Sequence, residues 1–333
     1  PAGDACRRGR RPQPMACRRW CCASIAVLVA GLALQTDTWR RMYHEAVVAD
    51  CWTAEPPPPP EDGGAANLSA VHVAYAGDAT QFPGILHSML SLSRQLQSPG
   101  SCTIHVIVSR DDMDGAQRLS SCFRGELASL PAAPAVLLHE MLPGTFDLQA
   151  AKQAPRRDLL KPQVFARNYL QEYLPSAPRV LWLDSDTIVR SDLAPLYRMR
   201  MSHAVAAAAD QRNVQRHLRE DFGLSASFNS GVLLLDLERW RSGDISRALE
   251  ARSAPGHAAG PATGRSWTLT QQLAMNLELG ESFDRLDFRW NVLGLGGSRL
   301  GVPRRCIREA RVLHWNGQRK PWARDGAHWP HDE

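Results

Sequence analysis

The stretch that most constrains this chain is RVLWLDSDTIVR, beginning at Arg179. Its apolar residues run on without the alternation of a half-solvated strand, so it reads as a strand covered on both faces, as in parallel sheets. It ends abruptly in Asp184-Ser185-Asp186. A buried strand that delivers two carboxylates to its C-terminal end implies a sheet whose active edge lies there.

The surrounding sequence supports such a sheet. VHVAYAG, from Val71, reads as a short strand, and PGILHSMLSLSRQL after it has helical spacing. SCTIHVIVS and then DMDGAQRLSSCFRGEL repeat the pair, and AVLLHEM repeats the strand signal. DLLKPQVFARNYLQEYLP reads as one amphipathic helix stopped by Pro175. Strands alternating with helices predict an α/β fold with a central, mostly parallel sheet. The folded, catalytic domain is expected over 71–333, preceded by a proline-rich stem at 35–70 that includes Pro56 to Pro60.

Residues i and i+2 on an extended segment project to one side, so Asp184 and Asp186 can share a cation. Mg²⁺ and Mn²⁺ prefer hard oxygen ligands and complete their shells with substrate phosphates. The bland alternative is a solvated turn, and the buried strand in front argues against it. A second constellation lies in ARVLHWNGQRKPW. His314 ends an apolar strand, Gly317 follows three residues later and Lys320 three after that. They offer an imidazole for a metal, a bare backbone for a phosphate, and an ammonium for a diphosphate.

Together the strand-terminal Asp-x-Asp and the C-terminal His-x-x-Gly-x-x-Lys-Pro-Trp resemble glycosyltransferase family 8. The resemblance runs from about Val71 to Trp322. LDFRWNVLGLGG and LHWNGQRKPW are especially similar to the galacturonosyltransferase-like and glycosyltransferase-8-domain-containing branches. It implies a Rossmann-like nucleotide-sugar fold of the A type, a UDP-sugar donor, Mn²⁺ or another divalent cation such as Mg²⁺, and transfer with retention. Carried over by residue, it implies that Asp184, Asp186 and His314 hold the metal. Gly317 and Lys320 would hold the diphosphate, with Ser185 beside them. Arg167 would contact the donor sugar or its phosphate, and Asp210 would grip sugar hydroxyls. Asn229 would lie near the sugar, with Gly231 permitting close backbone approach. Asp78 would meet the uracil. Many members carry Asp-Gln on the helix after the FNSG strand, where this chain has Gln271-Gln272. Gln272 matches, and with Asn229 and Asp210 forms the expected catalytic group. Gln271 can hydrogen-bond a sugar hydroxyl or phosphate but cannot accept a proton.

Charge excludes one class of partner. The net charge is +5, and residues 1–41 hold eight arginines against Asp4 and Asp37, a local +6 that leaves about −1 downstream. The body is therefore not a binder of nucleic acid. Six of the arginines precede an apolar run, Trp20 to Leu34, and they are nearly absent just after it. It reads as an uncleaved signal anchor within a 1–34 tail, a cleaved signal peptide, or a transit peptide. The anchor reading predicts a type II protein of the Golgi or another secretory-pathway membrane, with a lumenal catalytic domain. Asn67-Leu68-Ser69 is a glycosylation sequon that agrees with it. In that compartment Cys51, Cys102, Cys122 and Cys306 can form disulfides, Cys102–Cys122 among them.

The expected reaction moves a hexosyl, xylosyl or uronosyl group to a glycan or glycoconjugate acceptor. With no unpaired carboxylate evidently placed as a nucleophile, front-face attack is expected, the departing phosphate oxygen taking the acceptor proton. A non-catalytic UDP-sugar-binding subunit is the alternative that the neutral Gln271 keeps open, and homo- or hetero-oligomers stay open too. A nucleotidyltransferase would need a basic, glycine-rich loop where this chain has AYAGDATQF, and no P-loop occurs. Arg212 or Arg216 could supply a basic group for a uronate, or lie on the surface. Trp315, Trp322 and Trp329 read as C-terminal packing or as sugar platforms.

Overall fold

A computed structural model describes residue 68 and residues 70–130, 132–142, 161–253, 262–265, 267, 270–297 and 302–322. The tail and anchor, nearly all of the stem, the sequon's Asn67, Cys51, Trp329 and the Arg212 side chain lie outside the described residues. Among the described residues no helix is long and apolar enough to cross a membrane.

The core is a seven-stranded sheet in the order β3-β2-β1-β4-β7-β6-β8. Its strands are β1 (Val71–Ala76), β2 (Cys102–Val108), β3 (Ala135–Glu140), β4 (Arg179–Leu183), β6 (Val205–Ala209), β7 (Phe228–Asp236) and β8 (Asp284–Leu286). β1, β2, β3 and β4 pair in parallel, as do β6 and β8, while β7 runs antiparallel to β4 and β6. The mostly parallel α/β sheet expected from the sequence is the one observed.

Strand periodicity divides the core. Val71, Val73 and Tyr75 of β1 face one cluster, and Ala74 and Ala76 face the other. Helix α1 (Phe82–Gln95) covers the first cluster with Ile85, Met89 and Leu92, all buried. Its N-cap Gln81 makes no side-chain cap bond. A missing cap costs about 1 kcal/mol, whereas each fully buried large apolar side chain contributes roughly 1.5–3 kcal/mol, so burial decides. Helix α2 (Met113–Glu126) packs beside it through Leu119 and Phe123.

A small second sheet pairs β5 (Thr187–Val189) with β9 (Val312–His314), antiparallel. Thr187 lies opposite His314, which brings the C-terminal motif beside the β4 carboxylates.

Two expectations are corrected. The segment expected as one helix is three short pieces, Pro162–Phe165, a 3-10 stretch Ala166–Tyr169, and Leu170–Tyr173. Arg167 Nε donates to the Val164 carbonyl at 3.1 Å, a side-chain bond that competes with the regular ladder. Its guanidinium is drawn inward to Ser230 and Asp184. The Cys102–Cys122 bridge does not form. Cys102 is free and buried at the start of β2, while Cys122 and Cys306 are each disulfide-bonded.

Candidate metal and donor site

Asp184, Asp186 and His314 come together, each offering a ligand atom within 4.8 Å of the others. The two aspartates converge through a turn rather than an extended segment. Asp184 N–H donates to Gly231 O at 2.8 Å, continuing the β4–β7 pairing, and the chain then reverses, with Thr187 N–H and hydroxyl both donating to the Asp184 carbonyl. Trp315 N–H donates to Asp186 O at 2.9 Å, fixing β9 against the turn.

Each carboxylate is held with one oxygen turned to its neighbours. Asp184 Oδ1 accepts from Arg167 and from the Trp182 indole, both at 2.8 Å. Its Oδ2 lies 3.8 Å from His314 Nε2. Asp186 Oδ2 accepts from Lys320 Nζ at 2.5 Å, and its Oδ1 lies 3.1 Å from His314 Nε2. That Oδ1 is buried yet has no hydrogen-bond partner. Burial alone would raise the Asp186 carboxyl, but His314 and Lys320 outweigh it and hold the group well below the usual carboxylate range. Two carboxylates, an imidazole and an orphaned buried oxygen fit a hard divalent cation.

From His314 a line of amides crosses the site. His314 Nδ1 lies 2.9 Å from Asn291 Oδ1. Asn291 Nδ2 donates to Asn229 Oδ1 at 3.0 Å, Asn229 Nδ2 to Gln272 Oε1 at 3.0 Å, and Gln272 Nε2 to Asp210 Oδ2 at 2.7 Å. Asp210 follows β6, where the β6–β7 register shifts between Ala207 and Ala209, an irregularity that re-aims the strand end. Burial pushes its carboxyl up to about 6, against the opposing bonds from Gln211 N–H and Gln272. Thus Asn229, Gln272 and Asp210 lie side by side.

These residues line a cleft of about 960 Å³, together with Arg167, Ser185, Gln271, Gly317, Lys320 and Trp322. Arg167 is buried, and beyond its bonds to Asp184 and Ser230 its guanidinium lies 4.6 Å over the Trp182 ring. Ser185 accepts from Gln81 Nε2 at 3.4 Å. Gln271 Nε2 donates to Asn168 Oδ1 at 3.0 Å, which leaves its buried Oε1 unpartnered. Asp78 is not among the lining residues; its carboxylate is taken by Lys161 Nζ at 2.5 Å and by Thr80.

The glycines have reasons the sequence did not disclose. A Cβ at Gly317 would come 2.2 Å from the Gly296 backbone, so the residue is small because two chain segments cross there. Gly231 makes room for His314. Trp315 is buried in a C-terminal cluster, while Trp322 lies over Gly84 and reaches the cleft. Sequence reasoning also passed over Asn291, Trp182 and Lys161. Asn291 stands within the quoted LDFRWNVLGLGG, but nothing in the letters shows which strand it faces.

The family model for glycosyl transferase family 8 matches residues 72–326. Among curated proteins, probable galacturonosyltransferase-like 10 of Arabidopsis thaliana is 28% identical over 285 residues, covering 79% of this chain and 74% of that protein. Probable galacturonosyltransferase-like 9 of the same plant is 26% identical over 284 residues, covering 77% and 68%. Among solved structures, the galactosyltransferase LgtC, in complex with donor and acceptor sugar analogs, superposes with a TM-score of 0.56 at 20% identity, covering 79% of this chain and 93% of that one. The glycosyltransferase GlyE of Streptococcus pneumoniae TIGR4 gives 0.53 at 21%, covering 77% and 57%. At those identities the two structures establish the fold.

Proposed function

Since this chain belongs to glycosyltransferase family 8, we propose that it moves a hexosyl, xylosyl or uronosyl group from a UDP-sugar to a glycan or glycoconjugate acceptor, with retention. The observation that carries this reading is the Asp184, Asp186 and His314 group, with its orphaned Asp186 oxygen, at the wall of the cleft. Mn²⁺, or Mg²⁺ in its place, would be held there and would neutralise the charge developing on the diphosphate as it leaves. Lys320 adds an ammonium on the same side. Asp210, oriented by Gln272, receives donor hydroxyls, and Asn229 holds Gln272 in place. The Arg167 guanidinium fixes Asp184 and lies at the cleft wall toward the donor. Among the described residues none of the carboxylates lining the cleft is free of a partner, which favours front-face attack over a covalent intermediate.

The same proposal places residues 1–34 as tail and signal anchor, 35–70 as stem and 71–333 as catalytic domain at a Golgi or other secretory-pathway membrane. Its support is the apolar run with arginines clustered before it and nearly absent just after it.

A second reading, a non-catalytic UDP-sugar-binding subunit, is favoured by Gln271, whose amide NH₂ is already engaged by Asn168. UDP release from a panel of UDP-sugars, with Mn²⁺ and without acceptor, tests both. Slow hydrolysis of one donor, abolished by EDTA and by Asp184→Ala/Asp186→Ala, supports the transferase. Metal-dependent UDP binding without turnover of any donor, even with acceptors added, supports the binding subunit. A folded protein that binds no UDP overturns both.

A further inference from the structure

We infer that Asn291 is a positioning residue that keeps a proton on His314 Nδ1 and so directs Nε2, the nitrogen a metal would take, toward Asp184 and Asp186. The inference deepens the reading of the site as a metal centre and rests on it for its functional meaning. The Nδ1 proton itself follows from hydrogen-bond logic alone.

The starting point is a backbone donor whose role cannot be exchanged. Gly231 N–H donates to Asn229 at 2.9 Å, so the atom it meets must be the amide oxygen. The Asn291 atom 3.0 Å from that same oxygen must then be its NH₂, because two carbonyl oxygens would repel. Asn291 therefore turns its oxygen to His314 Nδ1, 2.9 Å away, and that nitrogen must carry the proton. The far end of Asn229 is fixed in the same way. Its NH₂ donates to Gln272 Oε1, which also accepts from the Ser230 backbone N–H at 3.1 Å. Two peptide N–H groups of the FNSG strand thus polarise the whole line, and no member can flip alone.

Asn291 is 1% exposed and absent from the residues lining the cleft, so it acts only through its neighbours. Metal-bound histidines depend on such a partner at the other ring nitrogen, which fixes tautomer and ring direction. Packing could also explain a buried asparagine, and the two explanations rank substitutions oppositely. If packing mattered most, Asn291→Leu, neutral and of similar size, would outperform Asn291→Asp. If the acceptor oxygen matters, Asp keeps it and Leu removes it.

The test uses the full chain with ¹⁵N-labelled histidine and no metal, followed by Mn²⁺ titration in the presence of UDP. The expected wild-type spectrum shows a proton on His314 Nδ1. Mn²⁺ affinity is expected to fall roughly 10- to 100-fold in Asn291→Leu and to stay far closer to wild type in Asn291→Asp. A wild-type His314 with no proton on Nδ1 overturns the inference, whether or not the variants fold. So does wild-type Mn²⁺ affinity in Asn291→Leu, or a better result for Leu than for Asp. A wild type that carries the Nδ1 proton yet binds no Mn²⁺ with UDP overturns the metal-centre reading and, with it, the functional role given to Asn291.

Discussion

Gly231 lacks a side chain where the imidazole of His314 lies, since a Cβ there would come 2.1 Å from His314 Cε1. Both residues are buried, and the contact joins the centre of β7 to the end of β9. Gly231→Ala should therefore push His314 off the two aspartates. The expected result is a loss of about 1–3 kcal/mol in stability, typical of overpacking, with metal-dependent donor binding lost even where the fold survives. Denaturant melts and Mn²⁺ titration check it; wild-type affinity in the variant would show that the ring tolerates displacement.

Lys320 neutralises Asp186 at 2.5 Å and also donates to the Trp315 carbonyl at 2.7 Å. Lys320→Met keeps most of the aliphatic stem and removes the charge. Donor hydrolysis with saturating Mn²⁺ should fall roughly 100-fold, the scale seen when one donor to developing negative charge is removed. An unchanged kcat would assign Lys320 to the resting state alone.

Asp210 supplies a pH test. Its carboxyl is raised to about 6 by burial, above its unfolded value, so it gives up its proton only as pH rises through that region. If the ionised form receives donor hydroxyls, donor turnover should climb between about pH 5 and pH 7. Asp210→Asn should lower turnover by roughly 100-fold and remove that limb. A residual limb at the same pH in the variant would assign it elsewhere.

A row of histidines crosses β1, β2 and β3, with His72 Nδ1 3.1 Å from His105 Nε2 and His105 Nδ1 2.9 Å from His139 Nε2. Burial lowers all three, and His105, between the other two, falls to about 3. Each is below its unfolded value near 6.5, so the folded state binds fewer protons. This contribution to stability is present above about pH 6.5 and is lost as pH falls from there toward the folded values. His105→Gln should flatten the decline of Tm between about pH 6.5 and 5. An undiminished decline would locate its origin in other groups.

Much of the architecture could be read from the letters because it rests on periodicity. The apolar runs of β1, β2 and β4 and the helical spacing of α1 and α2 correspond to observed elements. The trio that comes together was legible too, since Asp184, Asp186 and His314 stand at or just past the ends of apolar strands. What escaped reading depends on contacts between distant segments. That Gly317 is small because of Gly296, or that Asn291 meets both Asn229 and His314, follows from chain crossings with no local signal. The 162–173 segment was misread because helical spacing cannot register a side chain that captures the carbonyl of its own turn. The cysteine pairing failed for a related reason, as Cys102 is a strand residue turned into the apolar interior.

The pairing of Thr187 with His314 in β5 and β9 spans 127 residues of chain. Contacts of such sequence separation form slowly, because the intervening loop must be ordered before they stabilise anything. During synthesis both aspartates leave the ribosome well before the imidazole does. A nascent chain that has already built β1 to β7 still lacks β9, and with it the imidazole of His314. Whatever quality control attends this protein therefore meets a nearly complete sheet with an incomplete candidate site, and on the proposed reading cation capture would report arrival of the last strand.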